Sequence, residues 1–177
     1  DPEHLDFYGD VASLHQAFET FVSNIPFYGF AVLCIDHPVV QDLIPRVSDR
    51  RIVTYGFGAQ ADFRAVNLRL GADGSRFDAV IAERPGGSGR RIPELMLPMF
   101  GEHNVQNAMT VIAVADELGL GDEVVREALR KFAGVRRRFT KTGEWNGVAI
   151  IDDYGHHPVE IAAVLKAARA VAAGRVI

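Results

Sequence analysis

Val148-Ala149-Ile150-Ile151-Asp152-Asp153-Tyr154-Gly155-His156-His157-Pro158 reads as a strand that runs through a polar turn into a helix. Four apolar residues without polar alternation suit a buried strand. Proline is preorganised for the first helical position, and Val159, Ala162, Ala163 and Lys166 follow Pro158 at helical spacing. Two carboxylates and two imidazoles therefore fall at the carboxyl edge of a sheet, where open α/β folds bind ligands. Two readings of the turn stand side by side: a metal or acid/base site, or a satisfied turn whose carboxylate caps the next helix. Adjacent histidines point in different directions, so at most one faces a given site. Structural zinc wants four N or S ligands and the chain holds one Cys, whereas carboxylates suit a hard ion such as Mg2+ shared with a nucleotide.

Upstream, Phe30 to Ile35 has no polar alternation, as expected of a central strand covered on both sides. Asp36-His37-Pro38 leads into a short helix (Val39, Val40, Leu43, Ile44), and Arg51 to Phe57 is the next strand, which makes a βαβ unit and a parallel sheet. Before them, Val11, Leu14, Phe18, Phe21, Val22 and Ile25 mark one helical face, with Asp10 as N-cap and Pro26 as stop. Phe63 to Leu70, the Asp73-Gly74 turn and Phe77 to Ala82 read as an antiparallel hairpin, and Ile92 to Met99 as a further strand. Two helices follow: His103 to Leu118, apolar nearly all round, and Asp122 to Phe132, with Val125, Ala128, Leu129 and Phe132 on one stripe, ended by Gly134. Thr140 to Gly147, polar and glycine-containing, reads as a domain junction. The expected class is α/β: a mostly parallel sheet flanked by helices with a small antiparallel hairpin region, followed by the first βα(β) elements of a Rossmann-like domain.

The 177 residues are 48% hydrophobic, enough for a sizeable core, and the net charge of −4 gives no reason to expect nucleic acid or a membrane surface. Cys34, inside the apolar run at 30–35, reads as a small core residue; no disulfide framework is possible, which fits a reducing compartment. No apolar stretch approaches the ~20 residues of a membrane span, and no segment resembles a signal peptide. The chain starts at Asp1-Pro2 without Met and stops at Gly174-Arg175-Val176-Ile177, which reads as the opening of a new strand; it is expected to be part of a longer protein.

Three other constellations could carry chemistry. Asn104 and Asn107, at i and i+3 in the first turn of a helix, are expected on one side, where they either hold a nucleoside or cap the helix. Residues 126–141 hold seven of the nineteen Lys and Arg against one acid, Glu127; Arg136-Arg137-Arg138 is either a phosphate-binding cluster or a solvated basic loop. His4, beside Asp1, Glu3 and Asp6, is by itself an exposed loop histidine. Gly86-Gly87-Ser88-Gly89 lacks the strand and helix context of a phosphate loop, and no Walker A sequence occurs.

Five stretches in order resemble the Mur ligases: residues 1–10 (Asp1-Pro2-Glu3-His4-Leu5-Asp6-Phe7-Tyr8-Gly9-Asp10), Ile25-Pro26-Phe27-Tyr28-Gly29, the G-x-H-N-x-x-N pattern from Gly101 to Asn107, Arg137-Arg138-Phe139, and Asp152 to Pro158. The resemblance runs from end to end of the chain. It implies ATP-driven amide formation: a substrate carboxylate attacks the γ-phosphate, and an amino group displaces phosphate from the acyl phosphate. The most similar branch joins L-alanine to UDP-N-acetylmuramate, and Tyr154-Gly155 favours it over the branch that joins a tripeptide to the same sugar nucleotide. Residues 1–139 then correspond to part of the family's central ATPase domain, without its P-loop, and 140–177 to the start of its C-terminal Rossmann-like domain.

What the resemblance implies for the sites is specific. His4 matches the histidine that binds a second divalent cation, Mg2+ or Mn2+; Asn104 and Asn107 match contacts near adenine and ribose. Arg138 matches the arginine that reaches the ATP phosphates. Asp153 matches the carboxylate near ribose and phosphates, His156 the imidazole at the phosphate end, and Tyr154 a position near the amino-acid pocket. Arg136, Asp152 and His157 have no such match. The implied partners are small molecules, with neither nucleic acid nor membrane, in the bacterial cytoplasm. In this family the P-loop lies upstream and the groups that hold the amino-acid carboxylate downstream, so residues 1–177 alone are expected to be inactive. A different expectation is a non-catalytic nucleotide-binding module that has shed the P-loop.

Overall fold

A computed structural model of the chain describes residues 2–71, 73–85 and 88–177. Asp1 and the Gly86-Gly87 pair of the glycine-rich turn lie outside the described residues. Five strands are hydrogen-bonded in the order β1 (Ala31–Cys34), β2 (Ile52–Gly56), β3 (Phe63–Gly71), β4 (Gly74–Ile81) and β5 (Arg90–Leu97). The chain divides into two compact units: residues 1–64 with 80–90, and residues 65–79 with 91–177.

In the first unit, α1 (Leu5–Tyr8) precedes α2 (Val11–Ser23), whose start is set as the sequence indicates: the Asp10 side chain accepts the Ser13 N–H at 2.7 Å. β1 and β2 run parallel, with Ala31 opposite Ile52 and Cys34 opposite Tyr55, and α3 (Pro38–Leu43) connects them through a 3-10 turn at Ile44–Val47. Val22, Ala31 and Val47 form the core of this layer, against Ile25, Leu33, Leu43 and Ile52. The Asp36 carboxylate accepts the N–H groups of Phe57 and Gly58, tying together the carboxyl ends of β1 and β2. One expectation is corrected here. Among the described residues β1 stands at the end of the strand order and is only half-buried beyond Ala31, where a central strand covered on both faces was expected. On α2, Leu14 and Val22 are buried whereas Phe18 and Phe21 are 58% and 72% exposed. An apolar stripe fixes helical period, but a face is buried only where another element covers it.

In the second unit, β3 and β4 join as the expected hairpin and β5 follows. α4 (Glu102–Glu117) buries Val105, Ala108, Met109, Ile112 and Ala113, and α5 (Asp122–Lys131) buries Val125 and Leu129. Asp78 on β4 is the polar hub. Its carboxylate accepts from Asn67 Nδ2 and the Glu94 N–H, both at 2.7 Å, and from the Arg91 guanidinium. Asn67 and Glu94 both have φ near +50°, so the hub fixes two backbone kinks that ordinary side chains disfavour. Burial raises the Asp78 carboxyl, but the donors from Arg91, Glu94 and Asn67 outweigh it and hold the group down at about 2.

The last elements are β6 (Thr140–Trp145), β7 (Val148–Asp152) and α6 (Pro158–Val171). They correct two expectations and fill in a third segment. Within the expected junction at Thr140 to Gly147, β6 pairs antiparallel with β7, Trp145 opposite Val148. β7 is not buried, since Val148 and Ile150 are each 50% exposed and β6 is its one partner strand among the described residues. Residues 175–177 form no strand. The apolar run at 148–151 has the composition of a strand, but its burial depends on elements from elsewhere in a sheet. Among the described residues no helix is long and apolar enough to cross a membrane.

Candidate functional site

The β6–β7 turn is built by Asn146 and Gly147, with φ of 47° and 77°, the two left-handed positions of a type I′ hairpin. This tight return lays Asp152-Asp153-Tyr154 against Arg137-Arg138-Phe139. Asp153 Oδ2 accepts the Phe139 N–H at 2.8 Å and Oδ1 accepts the Gly155 N–H at 2.7 Å. The Arg137 carbonyl accepts the Tyr154 N–H at 2.8 Å. Arg137 and Phe139 themselves sit at φ of 60° and 51°, so the basic loop is strained backbone held by these bonds. The Arg137 guanidinium stands 4.6 Å from the centre of the Tyr154 ring and 3.7 Å from Asp152.

Beyond the turn, α6 starts with a reciprocal cap. His157 Nδ1 accepts the Val159 N–H at 3.4 Å, and Glu160 Oε2 accepts the N–H groups of His156 and His157 at 3.1 and 3.3 Å. His157 is thereby a capping residue. Glu160 Oε1 also faces Arg138 at 3.8 Å. The N–H groups of His156 and His157, with the Arg138 charge, hold the Glu160 carboxyl below its ordinary range. His156 Nδ1 lies 3.0 Å from the Tyr154 carbonyl, which can only accept; Nδ1 therefore carries the proton and Nε2 is left for another partner. The Tyr154 and His156 rings meet edge to face at 5.2 Å.

The start of α4 belongs to the same unit. Gly101 has φ of 92°, and a Cβ there would come within 2.6 Å of the His103 ring and 3.1 Å of Ala167 on α6, so the close approach needs glycine. Lys166 and Glu102 pair at 2.6 Å between the two helices, and the Phe100 and Phe139 rings pack at 5.2 Å. Asn104 and Asn107 do not share an environment as their spacing suggested. Asn104 is buried, its Nδ2 donating to the Phe100 carbonyl at 2.8 Å and lying 3.1 Å from His103 Nε2; Asn107 is exposed. Burial lowers the His103 imidazole, Asp153 opposes that, Arg138 adds to it, and Glu102 opposes it.

Arg138, Asp153, Tyr154 and His156 are thus brought into one cluster. It offers a half-exposed guanidinium and an imidazole nitrogen, with its carboxylates largely satisfied by backbone N–H groups, an arrangement suited to an oxyanion such as phosphate. Sequence reasoning missed His103, which lies within the G-x-H-N-x-x-N pattern, and Glu160, whose capping pattern is disguised by a histidine N-cap. His4 belongs to the other unit. It has φ of 56°, its side chain is 71% exposed, and its imidazole is 4.0 Å from Glu3. Among the described residues no group of three or more His, Cys, Asp or Glu could hold a metal ion.

The model of the Mur ligase middle domain matches residues 1–115, and that of the Mur ligase glutamate ligase domain matches residues 137–177. The chain belongs to the Mur ligase family. This Mur ligase chain is 61% identical over all 177 residues to a UDP-N-acetylmuramate--L-alanine ligase of Paramagnetospirillum magneticum, of which it covers 37%. It spans a little over a third of the length of the curated relatives it matches. Among solved structures, the UDP-N-acetylmuramate-alanine ligase MurC of Thermotoga maritima is 29% identical with a TM-score of 0.71, over 94% of this chain and 36% of that one. MurF of Acinetobacter baumannii, at 24% identity and a TM-score of 0.78 over 94% of this chain and 35% of that one, shares the fold.

Proposed function

We propose that this Mur ligase chain is the nucleotide-handling stretch of an ATP-dependent ligase that adds L-alanine to UDP-N-acetylmuramate, in bacterial cytoplasmic peptidoglycan precursor synthesis. The observation that carries the reading is the cluster of Arg138, Asp153 and His156, within a chain 61% identical to a ligase of that name. We read residues 1–139 as part of the central ATPase domain and 140–177 as the first elements of the C-terminal domain.

The muramate carboxylate attacks the γ-phosphorus of ATP, the bond to the β-phosphate oxygen breaks, and ADP departs. The alanine amine then attacks the acyl carbon, phosphate leaves, and the amine gives up a proton. Both steps gather negative charge that fixed donors must offset. In this scheme Arg138 donates to the phosphates and His156 Nε2 faces their outer end. Asp153 fixes the Arg138 loop through the Phe139 N–H, its remaining lone pairs available to ribose hydroxyls. Asn104 and Asn107 serve the nucleoside, and Tyr154 the amino-acid side of the cluster.

A divalent cation, Mg2+ or Mn2+, belongs to the reading as counter-ion to ATP. The described residues do not by themselves form its site: His4 would supply one nitrogen with only Glu3 nearby, and hard ions prefer several oxygens. No step is routed through it. The test is phosphate release by the full-length polypeptide with ATP, UDP-N-acetylmuramate and either L-alanine or a tripeptide. Release that needs L-alanine supports the reading; preference for the tripeptide would move the chain to the recycling branch, and no release with either would make it a non-catalytic module.

A further inference from the structure

We propose that Glu160 is a positioning residue for Arg138, an inference that rests on the ligase reading. The two oxygens of the Glu160 carboxylate have separate tasks. Oε2 is pinned by the His156 and His157 N–H groups, which fixes the carboxylate on the first turn of α6. Oε1 is thereby aimed at Arg138 Nη1, 3.8 Å away. That separation is an ion pair without a hydrogen bond, so the guanidinium is steered while its donors stay available to a phosphate.

The neighbours leave this task to Glu160. Asp153 spends one oxygen on the Phe139 N–H and the other on the Gly155 N–H. Asp152 faces Arg137, whose guanidinium also covers the Tyr154 ring. Among the described residues, Glu160 is the one carboxylate within ion-pair range of Arg138. Arg138 is therefore placed twice, its backbone through Asp153 and its side chain through Glu160. The same carboxylate lies 3.7 Å from His156 Nδ1, so both groups offered to the phosphates are referred to one anchor at the helix start.

A capping role alone would need the pinned Oε2 but not the charge that Oε1 turns toward Arg138, and the two roles separate experimentally. Glu160→Gln keeps an oxygen to accept both N–H groups and removes the charge facing Arg138. In the full-length polypeptide, kcat/KM for ATP and the thermal midpoint are measured for wild type, E160Q, R138A and the double variant. E160Q is expected to lower kcat/KM about tenfold in the wild-type background and less than about twofold in the R138A background, with an unchanged midpoint. Equal losses in both backgrounds, with or without a lower midpoint, would assign Glu160 to capping and overturn the proposal. So would an E160Q variant as active as wild type. R138A with wild-type kinetics would overturn it as well, because nothing would then remain to be positioned. Absence of phosphate release from the wild-type protein is a different failure, that of the ligase reading itself.

Discussion

Replacing Asp153 with Asn changes one atom and should release the basic loop. The carboxylate accepts the Phe139 N–H with one oxygen and the Gly155 N–H with the other. Asn keeps a single oxygen and turns an NH2 donor toward the second N–H, so one charge-assisted bond is lost and two donors face each other. A hydrogen bond to a charged group contributes about 1.5–3 kcal/mol. Arg137 and Phe139 meanwhile hold left-handed backbone, which costs on the order of 1–3 kcal/mol each and persists only while neighbouring bonds enforce it. A net loss of about 2 kcal/mol at the loop corresponds to roughly 30-fold faster opening. Hydrogen exchange at the Phe139 and Gly155 amides of the full-length polypeptide reads this directly. Alongside it, kcat/KM for ATP should fall by more than tenfold while the core amides of α4 keep their protection. Unchanged exchange at both amides would refute the claim that Asp153 holds the loop.

The Asp78 hub gives a pH signature. Its folded pKa, about 2, lies below the ordinary aspartate value of 3.8, so its contribution is complete above about pH 4 and is lost as pH falls through about 2. With a half-exposed Arg91 as partner, that contribution is about 1–2 kcal/mol. D78N should therefore lower stability at pH 7 and flatten its acid dependence in urea titrations; a slope identical to wild type between about pH 4 and 2 would contradict this. At the hairpin turn, Gly147 has φ of 77° and open space where a Cβ would stand, so G147A should cost about 1 kcal/mol from backbone strain alone. A thermal midpoint equal to wild type would show that the turn is not held in that conformation.

Local signals in the sequence were legible where chemistry is local. Asp10 as a cap, Pro38 and Pro158 at helix starts, and the strand periods at 31–34 and 52–56 are all found as read. The β6 strand was missed although Asn146-Gly147 is a strong hairpin signal, because the polar run Thr140 to Gly143 does not look like a strand without its partner. Burial was the least legible property. Phe18, Phe21 and Ile150 have core composition, yet their exposure depends on what packs against them, which a one-dimensional pattern does not encode. The cluster was half legible: Arg138, Asp153 and His156 belong to short motifs, whereas Glu160 enters through a helix cap formed by His157 in place of the usual Ser, Thr, Asp or Asn. The Asp78 hub joins residues 67, 78, 91 and 94 across three strands, and only pairing brings them together.

The central claim is tested most directly by phosphate release from the full-length polypeptide in the presence of ATP and UDP-N-acetylmuramate, with the amino-acid partner varied. Release that depends on L-alanine, and falls at least tenfold on replacing Arg138 with Ala, is the predicted result. Release that ignores L-alanine, or that persists unchanged without Arg138, would contradict it.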